Sequence, residues 1–218
     1  VLKPGDHLPA ERQLAADLGV GRSSVREALR VLEVLGLVRT GTGSGPNAGA
    51  IIIATPSGGM SALMRLQVAA NGFAVADVVR TRLILESAVG VQLAESAPSE
   101  LAAPRQLLDA MDAADLTPTE FLALDQQFHR SLADAAGNQV VLATMAGLRS
   151  AIEGYVVAGL PRIRDWDATS RRLREEHRGI LRSIEAGYTH SIRGLIHDHI
   201  TGYYDEAGFP TTLERGDR

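Results

Sequence analysis

The chain is 218 residues long, 45% hydrophobic and only 4% aromatic, with a formal net charge of −4 and a mean hydropathy of +0.01. That suits an ordered, mostly helical protein of one large domain or two small ones. No apolar run approaches the ~20 residues that span a bilayer, nothing at the start resembles a secretory signal, and the lack of cysteine excludes disulfides and thiolate metal sites, so the expectation is a cytoplasmic protein without a membrane partner.

Charge is unevenly spread. Residues 1–58 hold six Lys/Arg against five Asp/Glu, and the remainder sixteen against twenty-one. A near-neutral front and an acidic back point to two units with different partners. Specific DNA binding needs only a local basic patch, not a basic domain.

In chain order, "LPAERQLAADLGVGRSSVREALRVLEVLGLV" comes first. Pro9 suits a helix start, where its missing N–H costs nothing, and Leu14, Ala15 and Leu18 form a short apolar stripe. Gly19-Val20-Gly21 reads as a tight turn. A second helix then runs to Gly36, with Val25, Ala28, Leu29, Leu32 and Leu35 on one face, and Ser24 followed by Glu27 fits a capping box. Helix, short Gly turn and helix make a helix-turn-helix, whose second helix enters the major groove by its N-terminal end. Arg22, Ser23, Ser24 and Arg26 cluster there. Arginine reads guanine with two bonds and serine reaches base edges or phosphates. Arg12, on the preceding helix, is within reach of the same duplex.

Residues 38–59, "VRTGTGSGPNAGAIIIATPSGG", are dense in Gly, Ser, Thr, Pro and Asn around the β-branched run Ile51–Ile53. They read as a two-stranded hairpin followed by a linker at 56–59. The hairpin at Thr40–Gly45 would be a wing, with Gly41, Gly43 and Gly45 letting the backbone approach phosphates or the minor groove. The order helix, turn, helix, Gly-rich hairpin closely resembles the winged helix of the GntR family of bacterial transcription regulators. That resemblance covers about residues 2–45. It implies DNA contacts from Arg12, Arg22, Ser23, Ser24 and Arg26, and from the wing near Thr42 and Gly43. Gly21 stands where the family usually caps the recognition helix with Ser. The family's first helix would precede Leu2 and is not represented, so the sequence is read as starting inside that domain, with 1–55 as the DNA-binding part.

Behind the linker only helical periods follow. Expected helices are Gly59–Ala70, ended near Asn71-Gly72; Val75–Ser96, stopped before Pro98; Ser99–Ala114; Pro118–Ala136, capped by Thr117; Val140–Ala158; Asp167–Ala186, ended at Gly187; and Thr189–Glu206. Gly137-Asn138 reads as a C-cap followed by an N-cap. The fold class is therefore mostly α: a winged helix-turn-helix, then an antiparallel bundle of six or seven helices over 60–207, and a tail at 208–218.

In "FLALDQQFHRSLADAAGN", Asp125 and His129 lie one turn apart on the apolar stripe. His177 lies among Leu173, Ile180, Leu181 and Ile184, and His199 among Ile192, Leu195, Ile196 and Tyr203. One inward histidine is usually a hydrogen-bonded core residue. Three, with an inward carboxylate, are different, because a buried lone Asp costs several kcal/mol or loses its charge. A divalent cation resolves this with one oxygen and three nitrogens. Zinc stands foremost, and nickel, iron, cobalt or manganese fit the same donors. His197 should face outward. The run Arg171, Arg172, Arg174, Arg178 and Arg182 reads as a solvated helix face.

The segments "VVRTRLILESA", "LDQQFHRSLADAAGN", "EEHRGILRSIEAG" and "LIHDHI" resemble, in order, the FCD ligand-binding domain of the FadR branch of the GntR family. That resemblance implies the metal-containing kind, with Asp125, His129, His177 and His199 as ligands, and a small carboxylate effector in the open coordination positions. It also places Arg82 at the cavity, where it would fork with the effector carboxylate or pair with Glu86. The resulting expectation is a ligand-responsive repressor rather than an enzyme: a homodimer on a palindromic double-stranded operator. The alternatives are a metal-dependent hydrolase or isomerase fused to a DNA-binding domain, and a metal that merely staples helices.

Overall fold

The computed structural model describes residues 2–41, 49–53, 56–70, 72–96 and 101–209. The chain opens with α1 (Glu11–Leu18) and α2 (Arg22–Val34), then β1 (Val38–Gly41) and β2 (Gly49–Ile52). The strands pair antiparallel, Val38 opposite Ile52 and Gly41 opposite Gly49. Ala15, Val25, Leu29, Val38 and Ala50 form a small core, closed by Leu8, Leu14, Leu32 and Ile52. Gly19 ends α1 at φ 65°, a left-handed conformation that glycine adopts without steric cost.

Two local readings change. The N-cap of α2 is Gly21, which offers no side-chain bond. Because the Gly21 carbonyl already accepts from the Val25 amide, Ser24 lies inside the helix and the Ser24/Glu27 capping box does not form. Ahead of α1, the extended segment around His7 bridges to Ile51. There the Leu8 amide donates to the Ala50 carbonyl and Ile52 to Asp6, so the hairpin carries a partial third strand. The wing residues Thr42 and Gly43, and Gly45 with them, lie outside the described residues.

Seven helices follow: α3 (Pro56–Ala69), α4 (Val75–Ser96), α5 (Ala102–Met111), α6 (Pro118–Ala135), α7 (Gln139–Gly159), α8 (Trp166–Glu185) and α9 (Thr189–Glu206), with a 3-10 turn at Leu160–Arg162. Residues 56–59, expected as linker, are the first turn of α3. The helix expected over Ser99–Ala114 is shorter at both ends, and 97–100 lie outside the described residues. Thr117 caps α6 in a reciprocal box with Glu120, and the Asn138 side chain accepts from Val140 and Val141 at the start of α7.

The main core gathers inward faces of α4, α6, α7, α8 and α9, with Leu93, Phe121, Phe128, Ile152, Leu173, Ile184, Ile192 and Tyr204 essentially sealed from solvent. α3 lies along α7, and α9 packs on α4 and α8. By length and composition the stretch Gln139–Arg162 could cross a bilayer, which corrects the expectation that no such run exists. In the fold α7 instead spends its apolar faces on α3 and α6.

The arginine run on α8 also departs from expectation. Arg172 pairs with Glu176 and Glu206, Arg174 donates to the Met111 carbonyl, and Arg178 pairs with Asp112. Those three are half-buried and tie α8 to α5 and α9.

Candidate metal centre and nucleic-acid interface

The inward stripes of α6, α8 and α9 converge. Asp125, His129, His177 and His199 are all buried, and each offers a ligand atom such that the four lie within 4.8 Å of one another. His129 Nε2 is 3.0 Å from His199 Nε2, and His177 Nε2 is 3.1 Å from Asp125 Oδ1. Asp125 Oδ1 also stands 3.7 Å from His129 Nε2 and 3.8 Å from His199 Nε2. Spacings of roughly 3–4 Å are what neighbouring ligands need around a cation with bonds of ~2.0–2.2 Å.

The far sides of the rings explain their orientation. His129 Nδ1 lies 2.6 Å from Glu86 Oε2 on α4, and His199 Nδ1 lies 2.9 Å from Glu176 Oε2 on α8. A carboxylate behind a ring draws the ring proton to Nδ1 and leaves Nε2 with its lone pair toward the centre. Glu86 raises the His129 imidazole against the effect of burial, and the two Nε2 atoms, 3.0 Å apart, are close enough to share one proton or to hold one cation between them. His177 strengthens the point: neither of its ring nitrogens has a hydrogen-bond partner, although the residue is fully buried. An orphaned buried polar atom costs about 1–3 kcal/mol, which coordination would remove. The donor set therefore fits a divalent cation.

Two arginines complete the charge pattern. Arg82 Nε donates to Glu86 Oε1 at 2.8 Å, and Arg82 Nη1 to the Tyr204 hydroxyl at 2.8 Å. Arg149, from α7, pairs with Asp125 and sits 3.7 Å from Glu86. Burial raises the Asp125 carboxyl, but Arg149 and the neighbouring imidazoles overcome it and hold the group well below its ordinary value. Glu86 behaves the same way: burial is outweighed by Arg82, His129 and Arg149. Burial, then the proximity of His199, pushes His177 down to about 3. Burial likewise lowers His199, so both present neutral rings.

A cleft reaches this centre from the surface. It is narrow, about 80 Å³, and is lined by Arg82, Asp125, Gln126 and Arg149, with Leu122, Ile152 and Val156 as an apolar wall. An inner recess adds His199, Tyr203 and Tyr204. Arg82 thus pairs with Glu86 and also lines the cleft. The sequence reading missed Arg149, Glu176 and Tyr204, and saw Glu86 only as a partner for Arg82. Arg149 carried a signal: it and Glu153 are the only charged residues in α7.

At the other end, Arg12, Arg22, Ser23, Ser24 and Arg26 are all exposed on α1 and the start of α2, while Val25 and Leu29 on the opposite face of α2 are buried. Arg26 is held by Glu11, with Nη2 3.0 Å from Oε2. The resulting cluster can meet phosphates and base edges.

Residues 77–202 match the FCD domain family and residues 1–46 the bacterial regulatory proteins of the gntR family. The chain belongs to the GntR family of regulators, with an FCD domain behind its helix-turn-helix. It is similar to the HTH-type transcriptional repressor NanR of Klebsiella aerogenes, 33% identical over 165 residues, covering 73% of this chain and 60% of that protein. NanR of Escherichia coli O127:H6 is 32% identical, over 74% of this chain and 60% of that protein. The chain thus spans about 60% of the length of these curated relatives. Among solved structures, Streptococcus agalactiae GntR superposes with a TM-score of 0.65 at 24% identity, covering 91% of this chain and 88% of that one. E. coli McbR/YncC gives a TM-score of 0.52 at 18% identity, covering 95% and 89%. Both share the fold. The FCD match contains all four candidate ligands, together with Arg82, Glu86, Arg149 and Glu176.

Proposed function

We propose that this FCD protein is a cytoplasmic transcriptional repressor. It binds a palindromic DNA operator as a homodimer, and a small carboxylate effector at a divalent cation held by Asp125, His129, His177 and His199 changes its grip. The observation that carries the sensor half is the meeting of four buried ligand atoms within 4.8 Å at the end of a cleft. Family membership and the exposed cluster on α1 and α2 support the DNA-binding half.

Charge counting gives the effector its chemistry. Around the centre Arg82 and Arg149 balance Glu86 and Asp125. A divalent cation supplies open coordination positions and two further positive charges in a buried space. An anion entering the cleft offsets that excess. Arg149 and Arg82 line the approach and orient a carboxylate by forked hydrogen bonds, while Leu122, Ile152 and Val156 exclude water from its apolar part.

Two alternatives are weaker. A hydrolase needs a free base beside the centre, but Glu86 and Glu176 spend their oxygens on ring nitrogens and arginines. A purely structural metal needs no cleft leading to it.

The test is operator binding by fluorescence anisotropy, with a panel of small carboxylates, before and after chelation. One carboxylate should shift operator affinity, and chelation should remove the shift. A carboxylate response that survives full metal removal overturns the sensor mechanism, and an operator bound no better than random DNA overturns the reader.

A further inference from the structure

A second cleft lies between α3, α6 and α7, and the function above makes no use of it. It holds about 240 Å³, and its lining includes Ser61 and Arg65 from α3, Gln126 and Arg130 from α6, and Arg149 and Ser150 from α7. Among the described residues no acidic side chain lines it. Arg65 is exposed and donates from Nη1 to the Ser150 hydroxyl at 2.8 Å. Arg130 is exposed and, among the described residues, has neither an ion-pair nor a hydrogen-bond partner. Arg149 is nine-tenths buried, with its side chain 10% exposed. Its Nη2 is spent on Asp125, and its Nη1 makes no hydrogen bond among the described residues but stands 3.7 Å from Glu86 Oε1.

We propose that this cleft is a second ligand site, for a phosphate-type dianion held by Arg65, Arg130 and Arg149. Arg65 and Arg130 face one space with no acidic partner there, so an anion between them gains Coulomb energy and forked hydrogen bonds together. Asp125 already neutralises Arg149. Arg65 and Arg130 then leave two positive charges, which a dianion matches and a monoanion does not. The Ser61 and Ser150 hydroxyls and the Gln126 amide supply neutral donors around it. Bound there, the ligand ties α3 to α6 and α7. Gln126 and Arg149 line this cleft and the metal cleft alike, so the two sites share a wall. The site does not depend on the metal reading.

The test is isothermal titration of the full chain with orthophosphate at low ionic strength, before and after chelation. Saturable binding is expected in both states and should weaken as salt is added. R65Q/R130Q should lower the affinity about tenfold or more, with metal content and circular dichroism unchanged, since both side chains are exposed. R130K should keep most of the binding. A sugar monophosphate that binds more tightly than orthophosphate identifies the natural ligand as an organic phosphate, and equal binding identifies the free ion; either supports the site. Binding confined to the metal-loaded protein, unchanged in R65Q/R130Q, or undetectable at low salt overturns it.

Discussion

The winged-helix end and the FCD end use the same side chains in opposite ways. On α1 and α2 the arginines stand in water, and Arg26 is steadied by an exposed acid, Glu11. Around the candidate metal centre Arg82 and Arg149 are withdrawn from water and committed to Glu86 and Asp125. A solvated arginine keeps its charge available for a phosphate. A buried one serves to keep carboxylates ionised, Asp125 among the candidate ligands and Glu86 behind His129. The two regions also differ in their margin: the reader rests on a handful of buried residues, whereas the sensor has a continuous core. Buried polar networks tolerate loss of one member poorly, and exposed contacts tolerate it well.

That contrast can be broken by substitution. The largest effect is expected from D125A with H177A, which should abolish stoichiometric metal binding by elemental analysis. It should also erase the thermal stabilisation given by added metal, on the order of 3 kcal/mol at a hundredfold excess over Kd. Retained metal at one equivalent would show that the ligands lie elsewhere. Next, R22A and R26A should each weaken operator binding by about 1–3 kcal/mol, with relaxed sequence preference at the base read, and leave the metal content untouched. E176Q should come third. It keeps the shape but weakens the backing of His199, lowering metal affinity roughly tenfold in a chelator competition. The smallest effect is expected of E11Q. It releases an exposed pair and should leave thermal stability essentially unchanged, while modestly altering operator affinity because Arg26 is no longer held in place. If E11Q destabilises the fold as much as D125A does, the contrast between the two ends fails.

Much of this was legible in the sequence because it is periodic. α4 and α9 match the expected bounds, and α6 stops a single residue short of its expected end. The four candidate ligands fall out of the same stripes that bury Phe128, Leu173 and Ile196. What escaped depends on how helices cross. Glu176 neighbours His177 in sequence and so points elsewhere on α8, and only the placement of α9 brings it to His199. Arg149 looked like an interruption in an apolar helix until α6 supplied Asp125. The Ser24/Glu27 motif misled because a capping box also matches residues already inside a helix. The segment before α1 has no strand-like pattern, and its pairing with β2 is a gift of proximity.

One contact joins the two ends without an intermediary. A β-carbon on Gly59 of α3 would sit 2.2 Å from the carbonyl oxygen of Leu35, the residue that closes α2. Backbone therefore rests on backbone there, with no flexible side chain to absorb a displacement. Even a methyl group at position 59 would therefore force the start of α3 away from the end of α2.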